Sequence, residues 1–432
     1  MEHLTNIPDA GIRKRVVIIG GGFAGLKLAR RLDRKLFQIV LLDRQNYHQF
    51  QPLFYQVATA GLEPSAIAFP FRKIFQKADA FHFRLCSLLR VLPGTHQVET
   101  DIGLLDYDYL VIATGCDTNF FGNNALPGKT MTLKSIPEAL GIRNHILESF
   151  EEALSVTDDT RVASLLSFVI VGGGATGVEL AGALAEMKKY ILPKDYPEID
   201  PAKMQVTLID ASDRLLGSMS QQASENAFIF VKKLKINVIL NTQVKEYVDG
   251  RVVLSNGEII ISSNVFWVAG IRGNNPEGLA GNSVGRGARI LVDSYNKVNG
   301  YDDIFAIGDI SLMKTAEYPD GHPQVAQAAI QQGRLLASNL RKIILNKRPG
   351  VFDYVDKGSM ATVGRNFAVA DLHLLKLNGF TAWVIWLFVH LMSIVGTKNR
   401  LFIFLTWMWN YITYDQSLRL VIKTRDTETI ER

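Results

Sequence analysis

Glycines at positions 20, 22 and 25 followed by Asp43, and glycines at 172, 174 and 177 followed by Asp210, are spaced to hold two dinucleotides. In each set the first glycine permits a tight turn and the second lets a pyrophosphate approach the backbone. The third, Gly25 or Gly177, lets helix and strand pack closely. The pyrophosphate is expected at the helix N-terminus, where unpaired N–H groups and the dipole favour an anion. The aspartate then accepts hydrogen bonds from a ribose. Asp210 is followed by Ala211 and Ser212, with no arginine before Arg214. Such a carboxylate suits the two ribose hydroxyls of NAD and repels a 2′-phosphate. Other chemistry-bearing side chains follow. Glu179 falls in the first helical turn expected after the second glycine set, where it either complements the helix dipole or faces a reaction. Asp309 ends IFAIGD, and Gln327 and Gln331 stand four apart, on one helix face.

The surrounding pattern must supply strand, turn and helix at each set. Residues 16–19, VVII, read as a buried parallel strand, 26–32 as a helix, and 39–42 as the strand ending at Asp43. The unit repeats as a strand over 168–171, a helix over 178–189 and a strand over 206–209, with a proline-bearing insert at 192–203. Two further strands end in small-residue turns, YLVIATG at Ala113, Thr114 and Gly115, and NVFWVAG at Ala269 and Gly270. Residues 69–80 read as a helix, 81–91 and 97–100 as short strands, and 244–253 with 258–261 as a hairpin. A helix is expected over 324–346, opening with Gln324, Gln327, Gln331 and Gln332 among alanines; its buried amides need partners.

The last eighty residues change character. Residues 383–395 and 401–414 are apolar and rich in aromatics, broken at 396–400 by a segment carrying Lys398 and Arg400. A narrow polar stripe of Asn399, Thr406, Asn410, Thr413 and Ser417 runs along the second. Each helix would span about 20 Å, short of a ~30 Å hydrocarbon core. Tryptophans, tyrosines and flanking cations suit helices lying in a membrane interface, with a dimer or core contact as the other reading.

Composition narrows the classes. The chain has 432 residues, 47% hydrophobic and 21% charged, with a net charge of +5. That is globular, and nothing in it implies nucleic acid. Cys86 and Cys116 fit neither a dithiol nor a metal set, so no metal is expected, and they suggest a reducing compartment. Residues 1–15 do not read as a signal peptide.

GGGFAG, ATG, VGGGATGVELAG, WVAG, AIGD and AQAAIQQG, in this order and ahead of an aromatic tail, resemble type II NADH dehydrogenase, the single-subunit, non-proton-pumping NADH:quinone oxidoreductase. NYHQFQPLFYQVAT and AQAAIQQG are the most family-specific stretches. The resemblance implies an α/β fold of two Rossmann-like dinucleotide-binding domains, for FAD and NADH, plus a C-terminal amphipathic helical membrane-anchoring region. It divides the chain into an FAD-binding part at 1–160 and 291–348, an NADH-binding part at 161–290 and a membrane-association part at 349–432. Gly20, Gly22, Phe23, Ala24, Gly25, Asp43 and Arg44 would hold the ADP half of FAD. Ala113, Thr114 and Gly115 would pack against it, Asp309 would take the ribityl chain or phosphate, and Ala326 and Gln327 would reach the isoalloxazine. Gly172, Gly174, Gly177, Asp210, Ala269 and Gly270 would hold NADH. Glu179 matches the acid beside the nicotinamide, and Gln327 and Gln331 match the AQxxxQ amides of the quinone site. A membrane quinone, a lipid bilayer surface and a second copy in a homodimer are the implied partners. The implied location is peripheral and monotopic, on the cytoplasmic face of a bacterial inner membrane. The alternative is a soluble NADH-dependent flavoprotein reductase of a protein or small-molecule acceptor, against which the apolar tail argues.

Overall fold

The computed structural model describes residues 6–372, 375–414 and 418–422. These form two compact units, each discontinuous in sequence. The first takes residues up to 49, 68–117 and 271–357; the second takes 50–67, 118–270 and those from 358 on.

The first unit is built on a five-stranded parallel sheet. Its order is Ile304–Ala306, Tyr109–Ile112, Lys14–Ile19, Phe37–Asp43, Phe81–Leu85. The central strand is buried because both faces are covered, which is why VVII carries no polar alternation. The helix Phe23–Arg31 follows the first glycine turn and packs on the helix Ala326–Ile344. A side chain at Gly333 would come within 2.5 Å of the Ala24 carbonyl, so glycine is what lets the two helices meet. The long helix starts at Ala326, two residues later than its sequence suggests. The strands Leu88–Leu92, Gln97–Thr100 and Gly103–Asp106 form a small antiparallel sheet.

Residues 69–80 are not the helix that their pattern predicts. Ala68–Pro70 is a strand paired with Tyr47–Gln49, and the helix is a single turn, Phe71–Ile74. Pro70 cannot continue a helical hydrogen-bond ladder and sits where its missing donor costs nothing.

The second unit repeats the plan with four parallel strands. Their order is Asn237–Ile239, Gln205–Ile209, Ser167–Val171, Asn264–Trp267. The helix Ala175–Glu186 follows the second glycine turn and runs on through a wide turn, Met187–Ile191, into Leu192–Asp195. The insert is therefore partly an extension of this helix. The helix Ile136–Ser155 belongs to this unit, with Phe150 against Phe168 of the sheet at 5.8 Å between ring centres. Residues 244–253 divide into Val244–Val248 and Arg251–Leu254, because Asp249 and Gly250 turn through positive φ.

A three-stranded antiparallel sheet, Ser359–Thr362, Ala368–Asp371 and Lys376–Asn378, leads into the two tail helices Gly379–Ser393 and Thr397–Thr413. Gly396, at φ 86°, makes the break, and Lys398 and Arg400 fall inside the first turn of the second helix, not in the break. No helix among the described residues is long and apolar enough to cross a membrane.

Candidate functional site

In the first unit, Gly20 turns at φ 98°, and a side chain there would overlap the Ala113 carbonyl. A side chain at Gly25 would overlap the Gly20 carbonyl. Strand end, turn and helix start are thus locked by backbone contact. Gly22 faces open space instead and caps the helix without any side-chain oxygen, the kind of helix start that suits an anion.

Asp43 binds this turn. One carboxylate oxygen accepts from the Gly21 amide at 2.6 Å, the other from the Gln45 amide at 2.7 Å. Burial raises its carboxyl, and those two amides hold it down. His48 closes the turn from the other side, with Nδ1 2.9 Å from the Gly21 carbonyl. Burial lowers the imidazole to about 4, so the ring is neutral and Nδ1 carries the proton it donates. The Phe71 ring fills the space that a Gly21 side chain would need. His48 and Phe71 come from stretches whose sequence gives no sign of this duty beyond the aromatic and amide character of 46–58. Arg44 is exposed beside Asp43.

The remaining first-unit candidates gather near the same edge. Ala24 lies against Gly308, which turns at φ 77°. Thr114 donates to Asn274 O at 2.8 Å, and the Asn274 amide donates to Gly115 O. The Cys116 thiol donates to Asp309 at 3.2 Å, and Gln324 donates to the Asp309 carbonyl at 2.9 Å. Gln332, singled out only as one of four amides, accepts from the Gly308 amide at 2.6 Å and fixes that turn.

Gln327 and Gln331 share a face as expected, but their amides meet an extended segment of the chain. Gln331 donates to Val355 O at 2.9 Å and accepts from Val355 N at 3.0 Å. Gln327 accepts from Lys357 N at 2.9 Å and donates to Asp356 at 3.1 Å. The two therefore brace residues 355–357.

In the second unit, Gly172 turns at φ 119°, with room for no side chain: one would sit 2.7 Å from the Ala269 amide. Gly174 faces open space and Gly177 packs on the Gly172 carbonyl. Asp210 accepts from the Gly173 amide and, at 2.7 Å, from the Ser212 amide. Gly270 turns at φ 67° beneath the Phe121 ring.

Glu179 is the fifth residue of Ala175–Glu186, so it lies in the second turn, past the reach of the helix N-terminus. It points into the protein and is 7% exposed. Burial raises its carboxyl to about 8 against the Thr362 amide, which donates at 3.3 Å, and the nearby Trp386 indole. The indole Nε1 lies buried without a hydrogen bond of normal geometry. Burial thus favours the neutral form of Glu179.

Polar groups continue outward from it. The Tyr55 hydroxyl is 3.2 Å from Thr362 Oγ1, Gln56 donates to Tyr55 at 3.0 Å, and Trp407 donates to Gln56 at 2.8 Å. They border a cavity of about 440 Å³, walled on its apolar side by Phe380, Trp383, Leu387, Phe388, Phe404 and Met408.

The tail helices face outward with their apolar residues. Phe388 is 64%, Trp409 62% and Ile412 69% exposed. Thr397–Thr413 is held to the unit by fully buried Ile403, by Trp407 against Trp386 and Tyr411 against Trp383, and by polar bonds: Asn399 donates to Ser65 O and Ala66 O, Asn410 to Gly61 O, and the Arg365 guanidinium to Asn410 O and Tyr411 O. Thr406 and Thr413 turn back on their own helix. Ser417 lies outside the described residues.

Comparison with known proteins identifies the family. Residues 14–333 match the family described as pyridine nucleotide-disulphide oxidoreductase, and residues 357–414 match the NDH2 C-terminal domain. The chain is 34% identical to the type II NADH:quinone oxidoreductase Ndh of Mycobacterium tuberculosis, over 93% of this chain and 89% of that protein. It is 28% identical to a probable NADH dehydrogenase of Dictyostelium discoideum, over 94% of each. The structure of NDH2 from Plasmodium falciparum in complex with NADH superposes with a TM-score of 0.87 at 20% identity, over 95% of this chain and all of that one. In this chain Cys86 and Cys116 form no disulfide, and burial pushes the Cys86 thiol up to about 12, so it is no dithiol centre.

Proposed function

The chain belongs to the type II NADH:quinone oxidoreductases, and from that premise we propose that it oxidises NADH through a non-covalently bound FAD and reduces a membrane quinone without pumping protons. When bound, the flavin accepts a hydride and passes two electrons on; the protein's part is binding, orientation and proton supply. The first glycine turn fits the flavin's ADP half: a helix start at Gly22 with no side-chain cap, a ribose acceptor in Asp43, and a turn pinned by His48. By ligand, residues 1–160 and 291–348 serve FAD, 161–290 serve NADH and 349–432 serve the membrane. Asp309 takes the ribityl chain or phosphate, Ala326 and Gln327 reach the ring, and Gln331 keeps the 355–357 segment in place for the quinone.

Glu179 orients the nicotinamide as a neutral acid. The observation that carries the quinone half is the cavity beside it: apolar walls, a polar end at Tyr55 and Thr362, and tail helices whose outer faces are hydrophobic. That arrangement suits a ring with a lipid-soluble tail. Outward Phe388, Trp409 and Ile412 suit a monotopic contact with a bilayer, on the cytoplasmic face of a bacterial inner membrane and in a homodimer.

The test is steady-state NADH oxidation by the purified yellow protein with a water-soluble quinone, together with flotation on liposomes. Quinone-dependent turnover and salt-resistant flotation are expected, because the apolar contribution is not screened. Flavin reduction without quinone turnover, in a protein that does not float, would favour a soluble reductase.

A further inference from the structure

The helix Ala175–Glu186 carries a second acid. Glu186 stands seven residues after Glu179, on the same face and about 10 Å further along the axis. The two carboxyls have different surroundings. Glu179 is not among the residues that line the cavity, whereas Thr362, whose amide donates to it, and Tyr55 are. Glu186 does line it, against Gly364 and Arg365, and close enough to Tyr55 for its charge to act on that phenol.

We propose that Glu186 is a further catalytic acid of the quinone reaction, delivering one of its two protons to a quinone oxygen at the polar end of the cavity. This rests on the reading of the preceding subsection.

Quinone reduction forms two O–H bonds, and the electrons come from NADH. The protons must come from groups that line the cavity or from water. The lining has amides (Gln56, Asn410), hydroxyls (Thr59, Thr362), indoles, the Arg365 guanidinium, which keeps its protons, and the phenols of Tyr55 and Tyr411, and among the described residues it has one carboxyl; burial holds the Tyr55 phenol far above neutrality. Glu186 is that carboxyl.

Its environment suits a proton that is held and then released. Burial raises the carboxyl, while the Arg365 amide, the Arg365 charge and the Lys189 charge pull it back; Tyr55 is the other titratable group whose field reaches it. The Arg365 amide donates to Glu186 Oε1, but the guanidinium is committed to Asn410 O and Tyr411 O and stacks 4.1 Å from the Tyr414 ring. Glu186 is therefore not tied into a side-chain ion pair among the described residues.

In the step, the Glu186 O–H bond breaks and its electron pair stays on the carboxylate. The proton joins the quinone oxygen, whose new charge it neutralises. The Arg365 amide and the nearby charges stabilise the carboxylate until water returns a proton, on the side where Lys189 is exposed.

The experiment uses the FAD-loaded full-length protein and two variants, Glu186→Gln and Glu186→Asp. Glutamine keeps an oxygen for the Arg365 amide. Reoxidation of the reduced protein is followed by stopped flow with a water-soluble quinone and with ferricyanide, which needs no proton. The expected result is a fall in the quinone rate of roughly 10²-fold beyond any fall with ferricyanide, the scale of one positioned general acid. One ionisation should leave the pH profile, and Glu186→Asp should restore part of the rate. A protonated-carboxyl C=O band in infrared spectra of the wild type should vanish in Glu186→Gln. Equal losses with both acceptors, or wild-type quinone rates in Glu186→Gln, would overturn the proposal. A wild-type protein that quinone cannot reoxidise would instead overturn the preceding reading.

Discussion

Gly21 and Gly173 occupy the same place in their two turns, and each donates its amide to the aspartate that ends the neighbouring strand. Around Gly21 there is more. His48 donates to its carbonyl, and Phe71 lies flush against its Cα. At Gly173 the corresponding space is bounded by Leu215 and by Asp210 itself, with no ring donating to its carbonyl among the described residues.

The helices that follow differ as well. Phe23–Arg31 buries one side and leaves Arg30 and Arg31 exposed on the other, whereas Ala175–Glu186 is buried from Gly177 to Ala185 and turns Glu179 inward. A motif that looks duplicated in sequence thus has two different surroundings, one pinned by a histidine and an aromatic ring and one beside a buried acid, which is the contrast the proposed function needs.

The harshest way to break that contrast is to add one methyl group to each turn. Gly25→Ala and Gly177→Ala both force a Cβ onto a backbone carbonyl. Gly25→Ala should yield colourless, poorly folded protein. Gly177→Ala should keep its flavin but raise the KM for NADH, by about tenfold or more for each ~1.4 kcal/mol of lost binding. Flavin content by absorbance and KM by steady-state kinetics check the pair; equal flavin loss in both would mean the units are not separate in function.

Next in size is cofactor choice. Asp210 should make NADH preferred over NADPH by roughly two orders of magnitude in kcat/KM, because a 2′-phosphate would meet a carboxylate with no cation beside it. Asp210→Ser should shrink the ratio, and equal wild-type rates with both nucleotides would refute the assignment.

Glu179 gives a pH-dependent test. Its carboxyl lies near 8 in the folded protein and at about 4.3 when unfolded. Between those values the folded state binds the extra proton. Stability from this group is therefore full below the lower value and is lost as pH rises through the upper, by a few kcal/mol in all. Thermal midpoints across that window should fall less steeply in Glu179→Gln than in the wild type. The same variant should slow flavin reduction by NADH while leaving FAD bound. Matching slopes would mean Glu179 is ionised in the folded protein.

The smallest expected effect is at Gln331. Replacing it with leucine removes both bonds to Val355 and leaves that amide to water, since Val355 is exposed. A severalfold loss in reoxidation by quinone, larger than any loss in reduction by NADH, is expected from stopped-flow traces.

How far these features could be read in the sequence follows from their range. Glycine spacing and strand-ending acids are local patterns with one backbone solution, so both nucleotide turns and their sheets were legible. The helix predicted over 69–80 was not there, because the pairing of His48 with Phe69 is a contact between separated segments and outweighs local propensity. The same holds for the site. Glu179 stood out by type and place, but its raised carboxyl comes from burial that the fold creates, and the Tyr55–Thr362 contact next to it joins residues more than 300 apart. The polar stripe on the second tail helix was visible; that Asn399 and Asn410 hold the helix to residues 61–66 was not.

The most direct test of one turn that keeps and one that exchanges is a single anaerobic experiment on protein desalted after purification. The account predicts that flavin remains bound after desalting while no nicotinamide nucleotide does. It further predicts that added NADH bleaches the yellow colour within the turnover time, and that a water-soluble quinone then restores it. Protein that loses its flavin on desalting, or a flavin that NADH does not bleach, would contradict it.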